Sequence, residues 1–405
     1  MNKPRIFLSL TFLLLFVSVS AADTIYVSSN FGNDGRSRGQ AQNRNTPFRT
    51  IQRGVDQAFA GDEVVVLNGN YREYVTMRRS GQRNAIITLR SENKEGAKLV
   101  GSIEGYDRSY LKIEGFDISN RLLNAPQAKG ITFVRCHHLV IRDNRVHDCR
   151  GGGISCDQSS WLLIEWNIAL RNAFWHPDQH SGISVYQPQA RGPAESNGWG
   201  IMIRNNTSIA NENKVNNPNF GRPTDGNGIA IDDSKNVQAG GNGQEYPYRT
   251  LITNNLCFLN GGQGIHCYLS NDVFIRNNTC YKDMKSFDFG GEVSISESSR
   301  CYVYNNILFA RTGKNVALQF DSDVVWWDYN ILYNGPTFQT QNGPNTLYTH
   351  PLFRLNTLRI RSGSPAIDSG WTHPAIFPLD IDGQPRVING KVDRGATEFS
   401  FAFDN

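Results

Sequence analysis

The segment PTDGNGIAIDDSKN, Pro223 to Asn236, sets Asp225, Asp232 and Asp233 around a short apolar pulse. Three carboxylates this close along a chain suit a cation site, acid–base work in a groove, or the capping of turns at the ends of a strand. Calcium takes six to eight oxygen ligands, so neighbouring segments would have to contribute, and the spacing is not that of an EF-hand loop. A second cluster, WHPDQHS, packs His176, Asp178 and His180 beside Trp175. It suits a transition metal, a base carried on a loop, or a polar loop packed by the indole. His180 is the member of interest for catalysis, because it lies just ahead of the strand-like run Gly182–Tyr186.

Such residues act only if something rigid brings them together, and the sequence carries a repeat able to do so. A β-branched or aromatic run ending in Asn recurs as VIRDN, LIEWN, MIRNN, LITNN, FIRNN, VYNN and WWDYN, closing at Asn144, Asn167, Asn206, Asn255, Asn278, Asn306 and Asn330. The gaps are 23, 39, 49, 23, 28 and 24 residues. Most are about one turn of a β-solenoid, and the two long ones read as the same unit with inserted loops. A second pulse falls between these asparagines: GITFV, GISCD, GISVY, GIAID, GIHCY and EVSIS. Each coil is then three short strands, with Asn at a tight left-handed corner and its amide stacked on the coils above and below.

Alternation along the second pulse sends Ile131, Ile154, Ile183, Ile229 and Ile265 into the core. The outward column is Thr132, Ser155, Ser184, Ala230, His266 and Ser294, and one pleat further come Asp157, Tyr186, Asp232, Tyr268 and Ser296. The long insertions flank these strands, which places a groove over coils 153–297. Asp157 and Tyr186 are expected to contact substrate there. Arg249, Lys214 and Lys235 are the basic residues nearest to it in sequence.

The Asn-marked coils resemble the right-handed parallel β-helix proteins of the pectate-lyase superfamily, over nearly the whole chain. The opening YVSSNFGNDG…TPFRTIQRGVDQAFAGDEVVVLNGNYRE is similar to the entry of that group, with a helix at Thr50–Phe59 (apolar at Ile51, Val55, Ala58 and Phe59) capping the open end. PLF, SPAIDSG, DIDGQPR and VDRGATEF resemble its closing segment, with Asp368, Asp382 and Asp393 as turn residues. The fold class implied is all-β: a single-stranded right-handed parallel β-helix with an N-terminal capping helix and an irregular C-terminal tail. The expected divisions are a signal peptide at 1–22, first coils at 23–100, grooved coils at 101–345 and a closing segment at 346–405.

Within that superfamily DGNGIAIDD is most similar to the aspartate motif of calcium-dependent pectate lyases, which implies Ca²⁺ held by Asp225, Asp232 and Asp233. Where those enzymes carry a lysine base, this chain has His266. A histidine near its ordinary pKa can remove the C5 proton of a uronic acid, with Tyr186 or Tyr268 protonating the leaving oxygen and Arg249, Lys214 or Lys235 neutralising the carboxylate. The expected activity is β-elimination on an acidic polysaccharide. Paired carboxylates (Asp157, Asp232, Asp233) leave open a glycoside hydrolase, and the aromatic loops a non-catalytic glycan binder.

The first residues, MNKPRIFLSLTFLLLFVSVSAAD, read as a signal peptide and imply export. The formal charge of +4 falls to +2 without Lys3 and Arg5, too mild for a nucleic-acid tract. No later segment reads as a membrane span, and a monomer is expected. Of the seven cysteines, Cys257 and Cys280 should stack in consecutive coils, as thiols or as a disulfide, while Cys156 and Cys267 read as packing.

Overall fold

The computed structural model describes residues 22–121, 128–175, 180–354, 357–373 and 376–400. Residues 1–21 of the expected signal peptide, as well as His176 and Asp178, therefore lie outside the described residues. Three parallel sheets of eleven, ten and ten strands run the length of a β-helix, each coil giving one strand to each sheet. In one coil these are His137–Arg142, Arg145–His147 and Ile154–Asp157. Among the described residues, helix is confined to Arg38–Ala41 and Ile51–Gln57, and no helix is long and apolar enough to cross a membrane.

The amide stack expected of the Asn-marked turns is present. Asn144 Nδ2 donates to Asn167 Oδ1 at 3.1 Å, and Asn167, Asn206, Asn255, Asn278, Asn306 and Asn330 continue the chain at 3.0 Å per step. Each amide also satisfies backbone groups of the neighbouring coil, so one side chain closes the turn and fixes its register.

A second stack, not anticipated from the sequence, runs Asn172, Asn211, Asn260 and Asp283 at 3.1, 2.9 and 2.8 Å. It explains the glycine of the GI pulse. A Cβ on Gly182 would lie 2.5 Å from Asn211 Nδ2, and one on Gly153 would lie 2.7 Å from Asn172 Nδ2. No side chain fits between the ladder and the next coil.

The inward column Ile131, Ile154, Ile183, Ile229 and Ile265 is fully buried in one continuous core. All seven cysteines are buried free thiols, and Cys257 and Cys280 are register partners in that core, not a disulfide. The helix over residues 51–57 is N-capped by Thr50 and packs Ile51 and Val55 onto strands 24–27, 63–66 and 74–77. Phe59 departs from expectation: the helix ends before it, and its exposed ring is met by the guanidiniums of Arg38 at 5.1 Å and Arg79 at 4.4 Å.

The first Asn of each NN pair does a different job from the second. Asn205, Asn254, Asn277 and Asn305, all at positive φ, donate to the carbonyls of Asp380, Leu379, Asp393 and Trp371 in the C-terminal segment. That segment is held by its own carboxylates. Buried Asp393 accepts from the amides of Asp368 and Phe399, as a turn residue would, whereas the Asp382 carboxylate pairs with Arg359 and the amides of its turn donate to Asp380. Exposed Asp368 faces Lys391 at 3.9 Å.

Candidate functional site

The third sheet, from Tyr74–Met77 to Thr337–Phe338, carries the outward columns in the expected register. Ser155 pairs with Ser184, Ser184 with Ala230, Ala230 with His266 and His266 with Ser294. One pleat on, Asp157, Tyr186, Asp232, Tyr268 and Ser296 are likewise successive partners. A cleft of about 830 Å³ lies over these strands. The connections after the second sheet form one wall, with His180, Phe220, Arg222, Phe287 and Phe289, while Gln238 from a connection after the third sheet stands opposite.

His266 is half-buried in the floor of the cleft and stacks on Tyr268, with ring centroids 5.9 Å apart and planes 11° from parallel. Its Nδ1 has no hydrogen-bond partner. Burial pushes the imidazole down to about 4, so the ring is neutral at neutral pH with a lone pair to offer. On the neighbouring strand Asp232 lies between Tyr186 and Tyr268 and accepts from Gln238 Nε2 at 2.6 Å. Burial, and then the nearby Asp225 charge, push its carboxyl up to about 8, so Asp232 is a neutral acid at pH 7. Asp225, bound by Asn227 Nδ2 at 2.9 Å, is raised to about 6, also by burial. Burial and then Asp232 bring the Tyr186 phenol up to about 12, and its hydroxyl donates to the Ala239 carbonyl at 3.3 Å. Tyr268 is raised by burial and by Glu297.

The cleft therefore brings together His180, His266, Tyr186, Tyr268, Asp157, Asp225 and Asp232. Four expected residues fall elsewhere. Asp233 turns away from the cleft: its carboxylate accepts from the amides of Val237 and Gln238 and from Gln187 Nε2, which is turn capping by a residue at φ 55. Arg249 opens a strand of the first sheet and lies over Trp199 at 4.5 Å. Lys235 donates to the Glu297 carbonyl at 2.7 Å. Lys214 belongs to a separate cleft behind the loop wall.

The loss of Asp233 also removes the expected calcium set. Among the described residues no group of three or more His, Cys, Asp or Glu side chains is placed to hold a metal. The two remaining carboxylates supply too few of the six to eight oxygens calcium takes.

The basic charge of the cleft comes from residues sequence reasoning passed over. Lys129 reaches Asp157 at 3.5 Å, and Arg222 sits over Phe287. Lys129 occupies the position just ahead of the GI glycine, where Ser181, Asn227 and Gln263 stand in later coils, a column that was legible in the repeat.

These features define a right-handed parallel β-helix with a polar and aromatic cleft on one sheet. Residues 75–242, less than half of the chain, match the family model described as the right handed beta helix region. An uncharacterized protein of Bacillus subtilis (strain 168), YwoF, is 27% identical over 143 residues, which are 31% of this chain and 29% of that one. Among solved structures, pectate lyase Pel9A superimposes with a TM-score of 0.49 at 15% identity, over 95% of this chain and 98% of the other. The GH136 lacto-N-biosidase from Eubacterium ramulus gives 0.48 at 13% identity, over 80% and 67%. A PL6 alginate lyase complexed with a trisaccharide gives 0.46 at 15% identity, over 80% and 61%.

Proposed function

We propose that this protein is an exported, monomeric lyase that cleaves an acidic polysaccharide by β-elimination in the cleft of its third sheet. The observation that carries the reading is the placement of His266, its Nδ1 without a hydrogen-bond partner, and Asp232 on adjacent strands of one cleft floor, where burial favours the neutral form of each. β-Elimination from a uronic acid needs a base at C5, an acid for the leaving oxygen, and relief of the negative charge that builds beside the carboxylate. His266, unprotonated at pH 7, is the base, and burial makes it a weaker one than the ordinary imidazole expected from the sequence. The protonated carboxyl of Asp232 donates a hydrogen bond to the substrate carboxylate and so disperses that charge without a metal. Tyr268 or Tyr186, each flanking Asp232 and protonated throughout the working range, gives the proton to the departing oxygen. Lys129 and Arg222 are the cations this cleft can turn toward an acidic chain, against Asp157, Asp225 and Glu297 in the same lining, and the phenylalanine wall offers sugar rings an apolar surface. The same reading takes the helix at residues 51–57 as the cap of the open end and residues 346–405 as the closing segment.

The test is the ultraviolet absorbance of unsaturated sugar ends, with polygalacturonate, polymannuronate and glycosaminoglycans, in calcium and in chelator. The signal is expected to persist in chelator and to fall by about 10²-fold or more in His266→Ala, the usual worth of a general base. New reducing ends without unsaturation would transfer the cleft to hydrolysis. Binding without either product would leave a glycan-binding protein.

A further inference from the structure

A second cleft, of about 730 Å³, lies behind the loops that wall the first. Four connections contribute to both, one of them giving Arg121 to the second cleft and Lys129 to the first. Trp175, Lys214 and Lys285 line the second cleft, while His180, Arg222 and Phe287, a few residues further along each connection, line the first.

Five basic side chains, Arg121, Arg150, Arg171, Lys214 and Lys285, face two carboxylates there, Asp148 and Glu212. Burial works against the charge on Asp148, yet Arg171, His147 and Arg121 hold its carboxyl well below the ordinary range. Glu212 is likewise lowered despite burial, by Lys285 and Ser286. Both acids are ionised at neutral pH, and positive charge remains in surplus. Arg150, almost wholly buried, sets its guanidinium 3.7 Å over the Trp175 ring, and that indole is itself half exposed. A cation–π contact of this kind fixes the ring as a platform. An apolar plane beside guanidinium and ammonium donors suits a sugar ring bearing an acidic group: the ring C–H face packs on the indole and the acid meets the cations.

We propose that this second cleft binds an anionic saccharide unit, carboxylated or sulfated, separately from the cleft that carries His266. The choice of ligand rests on the acidic-polysaccharide reading above, but the site does not depend on cleavage.

Calorimetric titration of His266→Ala protein separates the two readings, because it detects binding without turnover. The probes are tetragalacturonate, a sulfated tetrasaccharide and inorganic sulfate. With the preferred tetrasaccharide, two binding events per chain are expected. Arg121→Gln, Lys214→Gln and Lys285→Gln together should abolish one of them, or weaken it by about tenfold or more. These side chains are 66%, 62% and 52% exposed, so an unchanged melting temperature is expected and is checked. Trp175→Ala, with every cation kept, should weaken the same event by about fivefold. Whether the carboxylated or the sulfated probe binds more tightly identifies the acidic group. A stoichiometry unchanged by the triple variant would overturn the site. So would inorganic sulfate binding as tightly as either saccharide, or Trp175→Ala without effect. Absence of lyase activity would sink the cleavage reading and leave this result standing.

Discussion

Replacing Asp232 by Asn tests the chemistry most directly, because the amide has nearly the same shape but cannot ionise. Its oxygen can still accept from Gln238 Nε2, and its N–H can donate where the neutral carboxyl did. The Asp232 carboxyl sits at about 8, with burial as the main cause. A group at that pKa is neutral in about nine tenths of molecules at pH 7 and in about one tenth at pH 9. If the neutral form is the working one, kcat/KM of the native enzyme falls about tenfold between pH 7 and pH 9. The acid side of the profile is set by His266 near 4, so a broad plateau separates the limbs. In Asp232→Asn the alkaline limb should vanish, leaving activity within about fivefold of native at pH 7 and above native at pH 9. Tyr186, near 12, titrates too high to supply the same limb. The assay is the initial rate of unsaturated product across pH 4 to 10. A loss of about 10²-fold at pH 7 would mean that the carboxylate itself is needed, as ligand or nucleophile, and would refute the neutral-acid argument. Persistence of the limb in the variant would assign it to another group.

Two further outcomes concern the frame that holds the cleft. The Asn255 side chain makes five hydrogen bonds, to Ile203, Thr253 and Asn278 and from the amide and side chain of Asn206, so Asn255→Ala should cost about 3–5 kcal/mol in chemical denaturation. Asn254→Ala loses one tail contact, to Leu379 O at 2.7 Å, and should cost about 1–2 kcal/mol. Equal losses would sink the distinction between ladder and tail asparagines. Asp283 and Glu292 are buried together at the end of the second ladder, and burial raises both carboxyls. The folded state then keeps protons that the unfolded chain releases at an ordinary carboxyl pKa, so stability falls as pH rises from there through the folded values. Glu292→Gln removes one of these groups, and its melting temperature should decline less between pH 6 and pH 9 than that of the native protein. Parallel declines would refute the assignment.

The fold was legible wherever one residue type answered a constraint repeated coil after coil. Asn144 to Asn330 and the GI strands each mark such a place, and the strand register follows the outward columns read from the sequence. The second ladder was written as plainly: Asn172, Asn211, Asn260 and Asp283 each stand five places after a first-ladder asparagine, at Asn167, Asn206, Asn255 and Asn278. It was missed because Cys149 and Arg311 interrupt the column at either end. The tail contacts of Asn205, Asn254, Asn277 and Asn305 had no such local signal, since their partners lie 66 to 175 residues downstream.

The site was most legible in its strand-borne half, for a geometric reason, although His180 and Asp225 from the connections also reach the cleft. A residue within a coil has its direction fixed by the pleat, so His266, Tyr268, Tyr186, Asp157 and Asp232 fell where alternation put them. In a connection, nearness along the chain says nothing about side. Lys214 and Arg222 share one insertion yet line different clefts, and Arg249 already belongs to another sheet. Asp232 and Asp233 make the point at its smallest scale. They are adjacent, but the strand ends between them, and φ turns positive at Asp233. One carboxyl faces the cleft as a neutral acid. The other folds back to bind the amides of the turn that follows. Counting aspartates therefore overstated the metal site, and the pleat decided which of the two belongs to the chemistry.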